Sequence, residues 1–146
     1  MNNHAAFKFR SISDNEAFAR MVVASFVASY DPTIGELTDL KTVVSEAVTN
    51  AIIHGYEGRD DQWVYMTLTM EDNVLSIEVK DEGLGMSNIE EARQPLFTTK
   101  PEMERSGMGF TIMEHFMDSV DVSSVHSQGT TIRMSKHLAS VQAGCH

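Results

Sequence analysis

The stretch Ser45-Glu46-Ala47-Val48-Thr49-Asn50-Ala51-Ile52-Ile53-His54-Gly55-Tyr56 decides how this chain folds. Extended back to Glu36, it carries Leu37, Leu40, Val43, Val44, Ala47, Val48 and Ala51 in steps of three and four, the stripe of a helix with one buried face. Gly55 supplies a stop, because glycine takes the left-handed conformation in which helices commonly end. Glu46, Asn50 and His54 are spaced by four, so each lies about 40° round from the last. Glu46 falls well outside the apolar stripe and Asn50 on its flank. One ridge therefore offers a carboxylate that can take a proton from a hydroxyl or water. One turn later it offers an amide oxygen, a hard neutral ligand suited to Mg2+. An ordinary solvated helix face would carry the same two residues. His54 reads as a cation-capable residue near the negative end of the helix dipole.

On the N-terminal side, Phe7 and Phe9 alternate with Lys8 in a short strand over residues 6–10. Ser13 followed by Glu16 has the spacing of a capping box and opens a helix expected to bury Phe18, Met21, Val22 and Phe26 and to end near Tyr30-Asp31-Pro32. Glu16 and Arg20 are four apart on it, which suits an intrahelical ion pair or a recognition patch for a partner protein. On the C-terminal side, Val64, Met66, Leu68 and Met70 share one face of a strand, and Leu75, Ile77 and Val79 one face of the next, with Glu71-Asp72-Asn73 as the turn. Residues 86–106 lose periodicity, and a loop of that length in a small domain is usually a functional lid or disordered. A third helix over about Met108–Met117 and a hairpin of Val120–Val125 with Thr130–Met134 complete the order β-α-α-β-β-lid-α-β-β. Met103, Met108, Met113 and Met117 gather around lid and third helix, as adaptable packing beside a moving segment or as plain core. The expected architecture is one domain over residues 1–146, a two-layer α/β (α+β) sandwich. Its sheet is mixed but mainly antiparallel, with helices on one face.

Three further motifs carry chemistry. Asp81-Glu82-Gly83-Leu84-Gly85 leaves a strand end, where an aspartate can accept a hydrogen bond from an exocyclic amine and two glycines allow close backbone approach; an ordinary turn has the same look. Arg105-Ser106-Gly107-Met108-Gly109 stands directly before a helix, whose exposed N–H groups form an anion site to which Arg105 could add a forked contact. The spacing is neither that of the P-loop nor that of the dinucleotide fingerprint. Gly129-Thr130-Thr131 enters a strand and carries nothing by itself.

Composition bounds the partners. The 146 residues hold 11 Lys plus Arg against 21 Asp plus Glu, a formal net charge of −10, with 42% hydrophobic and 22% charged residues. Such acidity disfavours a grip on nucleic-acid phosphates or on an anionic membrane. The single cysteine, Cys145, forms no internal disulfide, which suits a reducing compartment. No apolar run reaches the length of a membrane span, and the first residues lack the build of a secretion signal. The expectation is a small cytoplasmic protein.

Taken together, E-x-x-x-N on a helix, D-x-G-x-G after a strand, a lid, G-x-G before a helix and then G-T resemble, in order, the ATP-binding domain of the GHKL group (the Bergerat fold of gyrase, Hsp90 chaperones, histidine kinases and MutL proteins). The run Ser45–Tyr56 together with Pro95-Leu96-Phe97-Thr98-Thr99-Lys100-Pro101 is further similar to the small anti-sigma serine kinases of endospore-forming bacteria, over nearly the whole chain. The resemblance implies an ATP-dependent protein serine/threonine kinase that binds ATP/ADP with Mg2+. It implies Glu46 as general base for a substrate serine and Asn50 as Mg2+ ligand. Asp81 would hold the adenine amino group, with Gly83 and Gly85 shaping the pocket and Thr130 near it. Gly107 and Gly109 would cradle phosphates, with Lys100 and Arg105 as lid contacts. It implies a homodimer that holds sporulation sigma factor F inactive and phosphorylates its anti-anti-sigma antagonist, with Glu16 and Arg20 as candidate partner contacts. Two alternatives stay open: a nucleotide-gated binding module with little catalysis, and the stress-response branch of the same kinases. A histidine kinase is disfavoured, since residues 14–30 contain no histidine.

Overall fold

The computed structural model describes residues 2–85 and 109–139. The expected lid, with Lys100, Arg105 and Gly107, lies outside the described residues, as do Met103, Met108 and Cys145. The elements are β1 (Asn3–Arg10), α1 (Asn15–Val27) with a 3₁₀ turn (Ala28–Tyr30), and α2 (Ile34–Thr49) continuing into a π-helical turn (Asn50–Gly55). β2 (Trp63–Glu71), β3 (Val74–Asp81), α3 (Gly109–Phe116), β4 (Ser119–Val125) and β5 (Gly129–His137) follow.

The strands form one five-stranded sheet in the order β1-β2-β3-β5-β4. Every pairing among the described residues is antiparallel, in keeping with the expected mainly antiparallel sheet. Alternation sets its two faces. Val64, Met66, Leu68 and Met70 of β2, Leu75, Ile77 and Val79 of β3, and Ile132 and Met134 of β5 are all buried beneath the helices. The β2–β3 hairpin turns on Asp72 and Asn73, both at positive φ (52° and 64°), which is the twist-matched two-residue turn that Asx residues tolerate. On the other, open face, Lys8 and Arg10 lie over the ring of Trp63, 4.5 and 4.1 Å from its centroid.

Helix α2 lies at the centre of the helical layer and buries Leu40, Val43, Val44, Ala47 and Val48, as the stripe predicts. Each buried Leu or Val is worth about 1.5–3 kcal/mol. Helix α3 adds Phe110 and Met113, and Met117 just beyond it is buried too, so these two methionines are core.

Helix α1 differs from expectation in two respects. Its buried residues are Ala19, Val23 and Val27, not the larger side chains beside them. Phe18 is 48% and Met21 64% exposed, with Val22 and Phe26 only partly buried. Small residues spaced by four let α1 lie close against α2, and this packing outweighs the bulkier apolar set. Phe18 instead meets Phe7 and Phe9 edge-on, at 6.1 and 6.2 Å between ring centroids. The Ser13 capping box is also absent: Asp14 precedes the helix with no side-chain cap, and the Glu16 N–H donates to the Ser13 carbonyl. Glu16 is engaged elsewhere, accepting from Thr49 Oγ1 at 3.1 Å and lying 3.8 Å from Arg20. A complete capping box opens α2 instead, between Thr33 and Glu36. Among the described residues no helix is long and apolar enough to cross a membrane.

Thr33→Ala should therefore cost about 1 kcal/mol in urea denaturation. Ser13→Ala, which leaves the backbone bond intact, should stay within about 0.5 kcal/mol of wild type.

Candidate functional site

The end of α2 departs from the regular helix on which the four-residue spacing was projected. From Asn50 to Gly55 the turn widens to i→i+5 bonding, a feature frequent at functional sites. Asn50 opens this turn, and its N–H donates back to the Ala47 and Glu46 carbonyls. Gly55 closes it, but not as a left-handed stop. The positive φ values come later, at Glu57 and Gly58. Gly55 is required by proximity: a Cβ there would lie 2.6 Å from the Asp81 carboxyl. Tyr56 then pins the junction, its hydroxyl donating to the Trp63 carbonyl at 2.5 Å and accepting from the Glu82 N–H at 2.7 Å. Burial pushes the Tyr56 hydroxyl pKa up to about 12, so it stays a neutral strut.

Asp81 ends β3 with only 3% of its surface exposed. Burial raises its pKa from 3.8 to about 6, against the lowering effect of N–H groups donated by Gly83 and Thr130. The Gly83 bond to Oδ1 measures 2.9 Å. A Cβ on Gly83 would collide with the Gly55 carbonyl. Gly85, at φ +73°, has the Val125 carbonyl in the same position. Thr130, 4% exposed, pairs in register with Asp81, and its hydroxyl meets that of Ser124 at 2.9 Å. The result is a cradle of backbone with one buried carboxylate at its base.

Glu46 is half-buried on α2, and a Cβ on Gly109 would stand 3.3 Å from its Oε2. The carboxylate thus lies beside the first residue of α3. Among the described residues no group of three or more His, Cys, Asp or Glu side chains could hold a metal alone. The single amide oxygen of Asn50 suits an ion such as Mg2+ that takes most of its ligands from water and phosphate.

The structure thus brings Glu46 to Gly109 and Asp81 to Gly83 and Thr130, with Gly85 against the β4–β5 hairpin. Glu16 and Arg20 lie apart on α1, yet reach α2: Arg20 Nη1 donates to Ser45 Oγ at 2.7 Å and Thr49 bonds Glu16. Both roles weighed for them therefore gain a third, a brace between two helices. Sequence reasoning missed Gly55 as a contact residue and passed over Ser124. Only cross-strand register, absent from any local pattern, singles out Ser124.

The histidine kinase-like ATPase domain family matches residues 11–136 of the chain. The anti-sigma F factors of Bacillus velezensis and Bacillus subtilis are each 60% identical over 145 residues, covering 99% of both chains, and that of Bacillus licheniformis is 57% identical over the same span. Among solved structures, the RsbU and RsbW domains of a Mycobacterium tuberculosis protein superpose with a TM-score of 0.67 at 15% identity, covering 93% of this chain and 32% of that one. A blue-light activated histidine kinase domain of Erythrobacter litoralis gives 0.53 at 17% identity, over 71% and 45%. At those identities the two structures speak for the fold alone.

The raised Asp81 pKa has a signed consequence. A carboxyl that holds its proton more tightly when folded stabilises the native state below about pH 4, and that stabilisation is lost as pH rises through about 6. At neutral pH the cost is on the order of 2–3 kcal/mol. Asp81→Asn should therefore raise Tm by a few degrees at pH 7.5, with the gain vanishing below pH 4 in a thermal-melt series. A gain independent of pH would refute this origin.

Proposed function

The protein belongs to the histidine kinase-like ATPase domain family, within its anti-sigma F factor branch, and from that premise we propose that it is an anti-sigma factor and ATP-dependent protein serine kinase. It binds and inhibits sporulation sigma factor F and phosphorylates a serine of its anti-anti-sigma antagonist. The observation that carries the catalytic half is the Glu46 carboxylate beside the N-terminus of α3. A nucleotide-gated binder needs no carboxylate there, whereas a kinase needs one where the phosphoryl group is transferred.

In this reading Asp81 accepts a hydrogen bond from the adenine amino group, in the cradle shaped by Gly83 and Gly85 with Thr130 beside it. Gly107 and Gly109 present backbone N–H groups to the phosphates at the positive end of α3. Lys100 and Arg105, on a lid over 86–106, add charge. Asn50 is the protein's ligand for Mg2+, which when bound offsets charge on the phosphates. The substrate serine oxygen attacks the γ-phosphorus and the bridging bond to the β-phosphate breaks. ADP departs with that electron pair, and the serine proton passes to Glu46. Positioning and charge stabilisation carry most of such a reaction.

The binding half draws support from α1. Phe18 and Met21 leave an apolar face on the outside of a strongly acidic protein, a surface that a second copy or the sigma factor would cover. A homodimer acting in the cytoplasm fits that face. Glu16 and Arg20 sit on the same helix as candidate partner contacts.

Two experiments test this function. With labelled ATP and the anti-anti-sigma protein, wild type should yield phosphoserine, while Glu46→Ala loses at least about a hundredfold in transfer yet still binds ATP and sigma factor. Transfer near the wild-type rate would remove Glu46 as base, and release of free phosphate alone would remove the kinase. Separately, Arg20→Glu should weaken capture of sigma factor or of the antagonist in pull-downs from the two purified partners. Unchanged binding of both leaves Arg20 its brace role, through Ser45 and Glu16.

A further inference from the structure

Most of the sheet face turned away from the helices is neutral. Thr67, Thr69, Ser76, Thr131 and Ser135 line it, and Glu78 and Arg133 cancel each other in an ion pair at 2.8 Å. One corner differs. Lys8, Tyr65 and Lys80 are direct partners across β1, β2 and β3, and Arg10 pairs with Trp63 two residues further along. Three cations and two aromatic rings thus gather on a protein whose net charge is −10.

The corner is ordered in advance. Lys8 Nζ and Arg10 Cζ lie over the Trp63 ring, 4.5 and 4.1 Å from its centroid. Arg10 is pinned twice more: its Nη1 donates to the Asp61 carbonyl at 2.7 Å, and its own carbonyl accepts from Asn15 Nδ2 at 2.9 Å. The Tyr65 hydroxyl donates to Glu82 Oε1 at 3.1 Å. Lys8 and Lys80 have no acidic partner among the described residues. Long cationic side chains lose rotamer freedom when they bind a ligand, and the stack on Trp63 has already removed much of that freedom.

Charge and spacing define the occupant. A cationic corner on an acidic body draws carboxylates. A nucleic acid fits less well, because Glu78, Glu82 and Asp121 stand on or beside the same face and the body repels a long polyanion. A second copy fits less well again, since a two-fold axis through the corner sets the same cations against themselves. Lys8 and Lys80 lie two strand spacings apart, about 10 Å, which is the span of three residues of extended chain. A segment laid across the strands with acids three residues apart therefore meets both.

We propose that this corner docks an acidic segment of a partner protein, extended, with carboxylates three residues apart on Lys8 and Lys80, a further one on Arg10, and an apolar side chain on Tyr65 and Trp63. The surface lies on the opposite side of the sheet from Asp81, so the proposal is independent of the nucleotide reading.

The test uses the full chain and a capped, dye-labelled peptide of about twelve residues, long enough in extended form to cross the corner. It carries Glu at every third position, with Leu, Gly and Ser between, and binding is read by anisotropy of the dye. Wild type should bind it saturably, with affinity falling about fivefold or more from low to physiological salt, and should not bind the same peptide with Lys in place of Glu. Lys80→Glu should weaken binding at least about tenfold, and Lys8→Glu likewise, with circular dichroism unchanged. Lys41→Glu makes the same change of charge on α2 and should leave the affinity within about twofold. A wild type that does not bind the acidic peptide overturns the proposal, as do equal losses in Lys80→Glu and Lys41→Glu. Tighter binding of a single-stranded oligonucleotide of equal charge, lost in Lys80→Glu, gives the face to nucleic acid instead. Wild-type self-association in sedimentation that Lys80→Glu abolishes gives it to a second copy. Either result overturns the proposal.

Discussion

The rest of the site depends on the contact of Gly55 with Asp81. The end of the helical layer, bare of a side chain at Gly55, meets the Asp81 carboxyl at the end of a central strand directly. Any Cβ at Gly55 would push the π-helical turn off the sheet and take Asn50, and with it the approach of Glu46 to α3, out of register with the cradle. Tyr56 bolts the same junction from the next position, bonding β2 and the residue after β3 with one hydroxyl. The helix that carries the candidate base and the strand that carries the buried carboxylate are thus held as one unit. Asp81 is the strained member, an acid whose burial opposes the charge that the proposed adenine contact asks of it. The buried charge at this position lowers the protein's stability at neutral pH, and the proposed adenine contact supplies a reason to keep it.

Much of the scaffold was legible in the sequence because it rests on periodicity. The α2 stripe, the faces of β2 and β3 and the Asp72–Asn73 turn follow from spacing and turn chemistry alone. Helix α1 resisted because two apolar sets run along it, and local pattern favours the bulkier one. Only the need of α2 for a close neighbour selects Ala19, Val23 and Val27. The capping box went wrong for a related reason, since Ser13–Glu16 and Thr33–Glu36 look alike in sequence. In the fold, Glu16 is drawn toward Thr49 and Arg20.

The candidate site was legible as motifs but not as geometry. Glu46, Asn50, Asp81, Gly83, Gly85, Gly109 and Thr130 announce themselves by order and spacing. What those patterns hide is the widened turn at Asn50, the collision that forbids a side chain at Gly55, and the cross-strand row that draws in Ser124. Each arises between segments far apart in the chain, where no window of sequence looks. The acidity of the chain also takes on a sharper meaning. A domain with net charge −10 can attract a triphosphate only through local positive potential, which in the proposed reading comes from backbone N–H groups at the start of α3.

The stack of Lys8 and Arg10 on Trp63 has an optical consequence. Trp63 is the chain's single tryptophan, and it lies on the open face of the sheet, in contact with two cations and on the opposite face from the cradle at Asp81. Its emission therefore reports on whatever covers or uncovers that face. The intrinsic fluorescence of this protein is a probe of the sheet face that the helices leave uncovered.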